Sequence, residues 1–135
     1  KKNKGSAIFL HLTSNYRIHQ FGILDEDRLL LHSRIEERLE MIIQNGLIDE
    51  VQGLLKKYKI PKNHPLRKSV NYKQAISFLN KEYDSNEFFK RALYATRQLA
   101  KRQTTWMRSW DDLNIFDIKT SYKIEESIKR LASSL

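Results

Sequence analysis

Residues 86–110 read NEFFKRALYATRQLAKRQTTWMRSW and carry the longest helical pattern in the sequence. At about 100° per residue, one half of the predicted helix collects mostly apolar and small side chains, so we expect that half to face a core. It holds ten residues: Phe88, Phe89, Ala92, Thr96, Leu99, Ala100, Gln103, Trp106, Met107 and Trp110. Asp84 and Ser85 precede this pattern as capping residues, and Glu87 suits a capping box.

The opposite face of the same helix is positively charged. Four residues fall on one line along it, which we call the cationic ridge: Lys90, Arg97, Lys101 and Arg108. No acidic residue occurs between residues 88 and 110, whereas a merely solvated helix usually interleaves Glu with Lys at four-residue spacing. The ridge therefore favours contact with the phosphates of a polyanion, and a solvated helix face remains the alternative.

Composition agrees with one mainly helical domain that has a basic surface. The chain has 135 residues, a net charge of +9, no Cys, and only four Gly and two Pro. The absence of Cys excludes disulfides, thiolate zinc sites and a Cys nucleophile, and no apolar run approaches the ~20 residues of a membrane span. Residues 61–110 contain eleven basic and three acidic residues, which suggests a polyanion partner, and a basic surface that only maintains solubility is an equal alternative from charge alone.

The remaining pattern predicts short elements around the long helix. We expect a strand over residues 15–23, a helix from residue 25 to about residue 45, and a second helix over residues 47–58. The acids at residues 25–27 suit the start of the first helix, and Gly46 suits its end. A loop at 59–69, a short helix at 70–80, a strand at 114–118 and a weak helix at 124–131 complete a fold that is mainly α with one or two short strands.

Two arginines on the first helix are candidate anion ligands. Arg34 and Arg38 lie one turn apart beside the apolar stripe, and Arg38 is expected to be partly buried, where it needs an anionic partner. That partner is either an internal carboxylate such as Glu37 or Asp49, or a ligand phosphate held bidentately. From the residues alone the internal carboxylate is favoured. No phosphate-binding glycine motif, catalytic triad or metal-ligand spacing is found in the sequence.

Several runs of this sequence resemble the C-terminal half of the bacterial tRNA dimethylallyltransferases. They are YRIHQF at 16–21, DRLLLHSRIEER at 27–38, Met41, NGLIDEV at 45–51, VNYKQA at 70–75 and ATRQLAKRQTTWMR at 95–108. The resemblance covers about residues 15–118, and its last run is long and specific.

The resemblance implies transfer of a dimethylallyl group from dimethylallyl diphosphate to the exocyclic amine of the adenosine 3′ of the tRNA anticodon. It also implies a P-loop NTPase-like α/β core, a Mg²⁺ cofactor and a cytoplasmic location. The P-loop and the general base belong to the N-terminal half, which we expect to be this chain's partner, so the chain is interpreted as an inactive C-terminal fragment. Residues 1–14 are then a basic boundary segment, 15–118 the family region and 119–135 a tail helix.

Site residues follow from the same resemblance. Arg38, with Arg34, is expected to contact the diphosphate, and no catalytic residue is expected in this fragment. Residues that match contacts with the tRNA anticodon stem-loop are Arg67, Lys68, Val70, Asn71, Tyr72, Lys73, Arg97, Lys101, Arg102, Gln103, Trp106 and Arg108. Asn71 stands where the family usually has Gly, and Asn tolerates a left-handed backbone better than most residues. The alternative function is a non-enzymatic helical module that binds RNA or a protein partner.

Overall fold

The computed structural model of the protein describes residues 18–133. Its elements are β1 (Gln20–Leu24), α1 (Arg28–Gln44), α2 (Leu47–Lys57), a 3₁₀ turn (Pro65–Lys68), α3 (Tyr72–Leu79), α4 (Ser85–Arg108), β2 (Leu113–Asp117), a 3₁₀ turn (Ile118–Thr120) and α5 (Lys123–Ala132). The prediction of a mainly α chain with two short strands is confirmed. The basic segment at residues 1–14 lies outside the described residues. No helix within residues 18–133 is long and apolar enough to cross a membrane.

The chain divides into two compact units. One, the helical unit, is Asp25–Trp106, and the other, the sheet unit, combines Lys1–Leu24 with Met107–Leu135. Of the sheet unit, residues 18–24 and 107–133 are described.

Four helices of the helical unit share one hydrophobic core. Its buried members come from α1 to α4: Leu39, Leu47, Val51, Ala75, Ile76, Phe88 and Ala92. Val51, Ala75 and Ala92 are 0% exposed, and the Phe78 and Phe88 rings pack with their centroids 5.4 Å apart. The core therefore fixes α3 against the first half of α4.

Local capping sets where the helices begin and end. Asp27 Oδ1 accepts the backbone N–H groups of Leu29 and Leu30 at 3.1 Å, so the acids before α1 cap it as predicted. Gly46 follows α1 with a φ of 95°, a left-handed conformation that glycine adopts without a steric penalty. Asp84 Oδ1 accepts the Glu87 N–H at 2.8 Å, which caps α4.

The predicted core face of α4 is only partly correct. Phe88 and Ala92 are buried, but Gln103 is exposed and Trp106 is 62% exposed. The buried core of the helical unit takes nothing from α4 beyond Ala92, so the later turns have no comparable apolar partner within that unit. A helical pattern predicts which residues share a face, but not how far along the helix that face is covered.

Some predicted boundaries differ from the structure. β1 begins at Gln20 rather than at the predicted residue 15. Residues 18 and 19 are not part of a strand, and residues 15–17 lie outside the described part of the chain. The helix predicted from residue 70 begins at Tyr72, because Asn71 has a φ of 70° that a helix cannot include. The long helix ends at Arg108 rather than residue 110.

The sheet unit contains a two-stranded parallel sheet. β1 and β2 pair in register from Gln20 opposite Leu113 to Leu24 opposite Asp117. A Cβ added to Gly22 would lie 2.7 Å from Met107 Cε and 3.0 Å from Leu113 Cδ2, so glycine lets this strand approach its neighbours closely. Ile23 and Ile115, which lie on opposite faces of the sheet, are 47% and 39% exposed.

Replacing Leu39, which is 2% exposed, with Ala should lower the free energy of unfolding by about 2–5 kcal/mol. The cavity lies where α1 meets the shared core, and the surrounding helices can close it only in part. Met41→Ala is the matched control, because Met41 lies on the same helix but is 58% exposed; its cost should stay within about 0.5 kcal/mol. Urea unfolding measures both values, and equal losses for the two variants would contradict the proposed core.

Candidate functional site

The two arginines of α1 have different surroundings. Arg34 Nη1 donates to Asp25 Oδ2 at 3.0 Å, and the side chain of Asp25 is only 4% exposed while that of Arg34 is 46% exposed. Arg38, one turn later, is exposed and forms no ion pair or side-chain hydrogen bond within residues 18–133. Arg34 is thus held by a nearly buried carboxylate, whereas the whole guanidinium of Arg38 remains available.

The predicted partial burial of Arg38 is therefore wrong, and neither suggested carboxylate pairs with it. Glu37 instead accepts a hydrogen bond from Ser33 Oγ at 2.9 Å, and Asp49 is exposed on α2. The buried position on this turn is Leu39, about 100° around the helix, so Arg38 stays on the solvent side. The alternative of an internal ion-pair partner for Arg38 is not found.

The cationic ridge of α4 is interrupted at Arg97. Arg97 Nη2 donates to Glu36 Oε2 on α1 at 2.8 Å, and the Arg97 side chain is 32% exposed. Its Nε is buried without a hydrogen-bond partner. Lys90 and Lys101 are exposed as predicted, and Arg108 is exposed but belongs to the sheet unit. Within the helical unit, the ridge consists of two exposed lysines on either side of an arginine that an acid neutralises.

Arg67, the first of the predicted tRNA-contacting residues at 67–73, supports the loop that precedes them. Its Nε and Nη2 both donate to the backbone oxygen of Ile60, at 3.1 and 3.0 Å. The side chain is half-buried, as is Val70, whereas Lys68 is exposed. Arg67 thus uses two of its N–H donors within the chain, whereas the charge of Lys68 is exposed to solvent.

Asn71 adopts the backbone conformation that the sequence suggested. Its φ is 70° and its ψ is −46°, a conformation that L side chains rarely take. Its Oδ1 accepts a hydrogen bond from Thr96 Oγ1 on α4 at 3.2 Å, a contact that a glycine could not make. This contact places the segment at 67–73 directly beside the middle of α4, so the structure brings together the two runs that sequence analysis had separated by about 25 residues.

Tyr72 is connected to α2. Its hydroxyl donates a short hydrogen bond to Glu50 Oε1. This bond, with smaller contributions from burial and from the charge of Glu50, raises the pKa of the Tyr72 hydroxyl above its usual value. Lys73 is exposed on the next position. Tyr72 therefore stabilises the start of α3, while Lys73 presents a free charge there.

The second half of α4 combines exposed cations with an exposed indole. Lys101, Arg102 and Gln103 are all exposed, and Trp106 is 62% exposed. Cations beside an accessible aromatic ring are suited to nucleic acid, because the charges meet phosphates and the ring stacks on an unpaired base.

The arginine pair and the segments beside α4 occupy different sides of α1. Glu36, which reaches Arg97, lies two residues after Arg34 and two residues before Arg38. Residues two apart on a helix do not face each other. Arg34 and Arg38 therefore lie on a different side of α1 from the one that pairs with α4.

Sequence analysis missed the internal partners of these residues. Asp25, Glu36 and Glu50 bind Arg34, Arg97 and Tyr72, respectively, and all three acids were visible in the sequence only as charges. The Arg97–Glu36 pair spans 61 residues, and no local pattern signals such a contact. Asp25 carried the one usable signal, because it is one of three acids clustered before a helix.

Residues 18–133 contain no group of three His, Asp or Glu side chains that could hold a metal ion.

The family model described as IPP transferase matches residues 1–110. A tRNA dimethylallyltransferase from Acinetobacter baumannii is 42% identical over 123 residues, covering 88% of this chain and 38% of that protein. One from Francisella philomiragia is 38% identical over 109 residues, covering 80% of this chain and 35% of that protein. The chain thus spans less than two fifths of the length of these relatives.

Solved structures agree with this. The full-length tRNA isopentenylpyrophosphate transferase from Bacillus halodurans superposes with a TM-score of 0.76 at 26% identity, covering 96% of this chain and 43% of that one. The corresponding enzyme from Staphylococcus epidermidis gives a TM-score of 0.79 at 20% identity, which shows the shared fold. The predicted fold class is confirmed: a mainly helical chain whose short strands come from a P-loop NTPase-like α/β core. On the extent of the family match and on these identities, the chain belongs to the IPP transferase family.

Proposed function

We propose that the chain is the C-terminal part of a cytoplasmic tRNA dimethylallyltransferase and supplies its RNA-contacting and diphosphate-contacting residues. The observation that carries the proposal is the pairing of Asn71 with Thr96, which places two family-like basic segments side by side on one helical unit. The reaction transfers a dimethylallyl group to the exocyclic amine of the adenosine 3′ of the anticodon. The amine nitrogen forms a bond to the donor carbon that carries the diphosphate. The bond from that carbon to the diphosphate oxygen breaks, and the amine loses a proton.

Arg38 is proposed to bind the departing diphosphate. Its guanidinium is exposed and unpaired among the described residues, and a planar guanidinium binds phosphate oxygens bidentately. Negative charge on the diphosphate increases as the carbon–oxygen bond breaks, so a fixed cation there stabilises the transition state more than the ground state. Arg34, already paired with Asp25, retains fewer free donors and contributes as a secondary contact.

The tRNA anticodon stem-loop is proposed to lie along α4 and the 67–73 segment. Four exposed cations suit its phosphates: Lys68, Lys73, Lys101 and Arg102. An enzyme that modifies a base within a stacked loop must first move that base out of the stack, and the exposed ring of Trp106 is suited to holding an unpaired base. Arg67, Asn71, Tyr72 and Arg97 stabilise this surface through the internal contacts described above, Val70 is half-buried, and Gln103 extends the surface along α4. Arg108, which belongs to the sheet unit, carries a further exposed charge.

The P-loop, the general base and the main Mg²⁺ ligands are proposed to lie in the N-terminal half of the protein. Mg²⁺ when bound there would neutralise diphosphate charge, and no step is assigned to it among the residues described. The two-stranded parallel sheet supports such a partner, because parallel sheets occur almost only with both faces covered. Here Ile23 and Ile115 expose apolar surface on both faces.

The full-length protein should transfer a dimethylallyl group to an anticodon stem-loop that carries the target adenosine. The 135-residue chain alone should give no transfer, because it lacks the positioning and base catalysis that together account for many powers of ten in rate. Radiolabelled donor and RNA measure both reactions. Tight RNA binding by the full-length protein without any transfer would instead support a non-enzymatic RNA-binding module.

Arg38→Ala in the full-length protein should lower kcat/KM for the prenyl donor by roughly 10- to 100-fold, the value of a charge-assisted contact with diphosphate. The melting temperature and the tRNA affinity should stay close to those of the wild type, because Arg38 is exposed and holds no internal partner. Arg130→Ala, an exposed arginine on α5, is the matched control. Unchanged donor kinetics in Arg38→Ala would remove Arg38 from the diphosphate site.

Lys101→Gln should flatten the salt dependence of tRNA binding by nearly one unit of slope, because one phosphate contact and its counterion release are lost. Arg97→Gln should in addition lower the melting temperature, since it breaks the ion pair with Glu36. Lys56→Gln, an exposed lysine on α2, should change neither quantity. Affinities measured over a series of salt concentrations decide the question, and parallel slopes for Lys101→Gln and wild type would show that α4 does not track phosphates.

A further inference from the structure

An open groove lies between α3 and the first half of α4, entirely within the helical unit. Its volume is about 630 Å³, within the range of small-molecule sites. The two helices run antiparallel, because Asn71 at the start of α3 contacts Thr96 while Phe78 near its end packs on Phe88. One end of the groove therefore adjoins the 67–73 segment and the other end adjoins the loop before α4.

The floor and the far end of this groove are occupied by internal contacts. Tyr83 donates to the backbone oxygen of Gln74 at 2.6 Å, and the Arg91 guanidinium lies 5.0 Å from the centre of the Tyr83 ring. Arg91 Nε also binds Glu87 at 2.7 Å. Glu82 lines the same end. The cation and the aromatic ring on this side are thus committed to the fold, and two acids make this end unfavourable for an anion.

The near end is different, because it carries polar groups without partners. Lys73 and Lys90 line the groove and form no ion pair in the part of the chain that the structure describes. Tyr94, one turn after Lys90 on α4, also lines it and is 66% exposed. The antiparallel arrangement places Lys73 beside this turn of α4. Two free cations therefore flank an accessible aromatic ring.

We propose that this groove binds one unpaired nucleotide of the RNA, with its base stacked on Tyr94 and its phosphate between Lys73 and Lys90. The proposal rests on the proposed tRNA-modifying function: it keeps Lys73, which the resemblance already implies as an RNA contact, and adds Tyr94 and Lys90 to the RNA surface. A protein partner fits the groove less well, because Ala95 is the only aliphatic side chain among the residues that line it. An aromatic ring with cations beside it can stack on a base and bind the adjoining phosphate, and this kind of contact does not select for base identity.

The first test measures the affinity of the full-length protein for the anticodon stem-loop. Tyr94→Ala should weaken binding about 10-fold, the effect of losing one stacked base, whereas Tyr94→Phe should bind like wild type because it keeps the ring. Tyr58→Ala is the matched control: Tyr58 is 52% exposed, with Lys57 Nζ 5.4 Å from its ring centre, but it lies outside the groove. Equal affinity of Tyr94→Ala and wild type, or equal losses in the Ala and Phe variants, would overturn the stacking contact.

The second test examines the phosphate and the base directly. Lys73→Gln and Lys90→Gln should each reduce the salt slope of binding by about 0.7, the value for a single-stranded phosphate. A 2-aminopurine placed at each loop position in turn should lose fluorescence on binding wild type at one position, and keep it there with Tyr94→Ala. Unchanged slopes, or identical fluorescence with the two proteins, would overturn the proposal.

Wild-type activity separates this proposal from the proposed function. If the wild-type protein modifies and binds the RNA while the groove variants match it in every measurement, the groove assignment fails together with the phosphate contact proposed above for Lys73, and the proposed function stands. If the wild-type protein binds no RNA at all, the proposed function fails and the groove proposal fails with it. If an acidic peptide displaces the RNA, and its binding depends on Tyr94 as strongly as RNA binding does, the groove is a peptide site and the proposal is overturned.

Discussion

The exclusion of water from one small core determines where the functional side chains of the helical unit lie. Val51, Ala75 and Ala92 are fully buried where the helices meet, and two of these are alanines. Ala75 of α3 and Ala92 of α4 belong to the same buried cluster, so this core joins the two helices whose residues Asn71 and Thr96 form a hydrogen bond. A larger residue at either alanine would overpack the core and disturb the position of the 67–73 segment beside α4. The candidate RNA surface is therefore a consequence of core packing rather than of contacts among its own charges.

The cationic side chains of the helical unit differ in whether the fold uses them. Arg34, Arg67, Arg91 and Arg97 each bind a carboxylate or a backbone carbonyl of the chain. Lys68, Lys73, Lys101, Arg38 and Arg102 are exposed and form no ion pair among residues 18–133. The division follows from chemistry: a guanidinium offers five donors in a rigid fork, so it can satisfy an internal acceptor and still present N–H groups outward, whereas a lysine ammonium is strongly hydrated and better left in water. The buried Nε of Arg97 costs part of what its ion pair with Glu36 contributes.

Local signals predicted the elements well, and long-range partners could not be predicted. Asp27 and Gly46 marked the ends of α1 because capping acts within a few residues, and the positive φ of Asn71 was anticipated because Asn stands where the resemblance places Gly. Arg38 was placed at a buried edge because a helical pattern gives only angles, and a few tens of degrees separate an edge from solvent. The cationic ridge was correct as a face but wrong as an unneutralised line, since Glu36 comes from a different helix. The groove residue Tyr94 could not be singled out from the sequence, because the groove depends on α3, which sequence patterns do not place.

The two units also differ in how completely they bury their own apolar surface. The helical unit has seven buried core residues, whereas Gly22 and Leu24 are the buried residues among those described in the sheet unit. A parallel pair of strands is less stable per residue than an antiparallel pair, and two strands alone seldom bury enough surface to persist. With Ile23 and Ile115 exposed on opposite faces, this sheet has the character of an interior portion of a larger one. Further strands at its edges and elements covering both of its faces would satisfy the free backbone groups and bury Ile23 and Ile115, so they would stabilise the sheet unit.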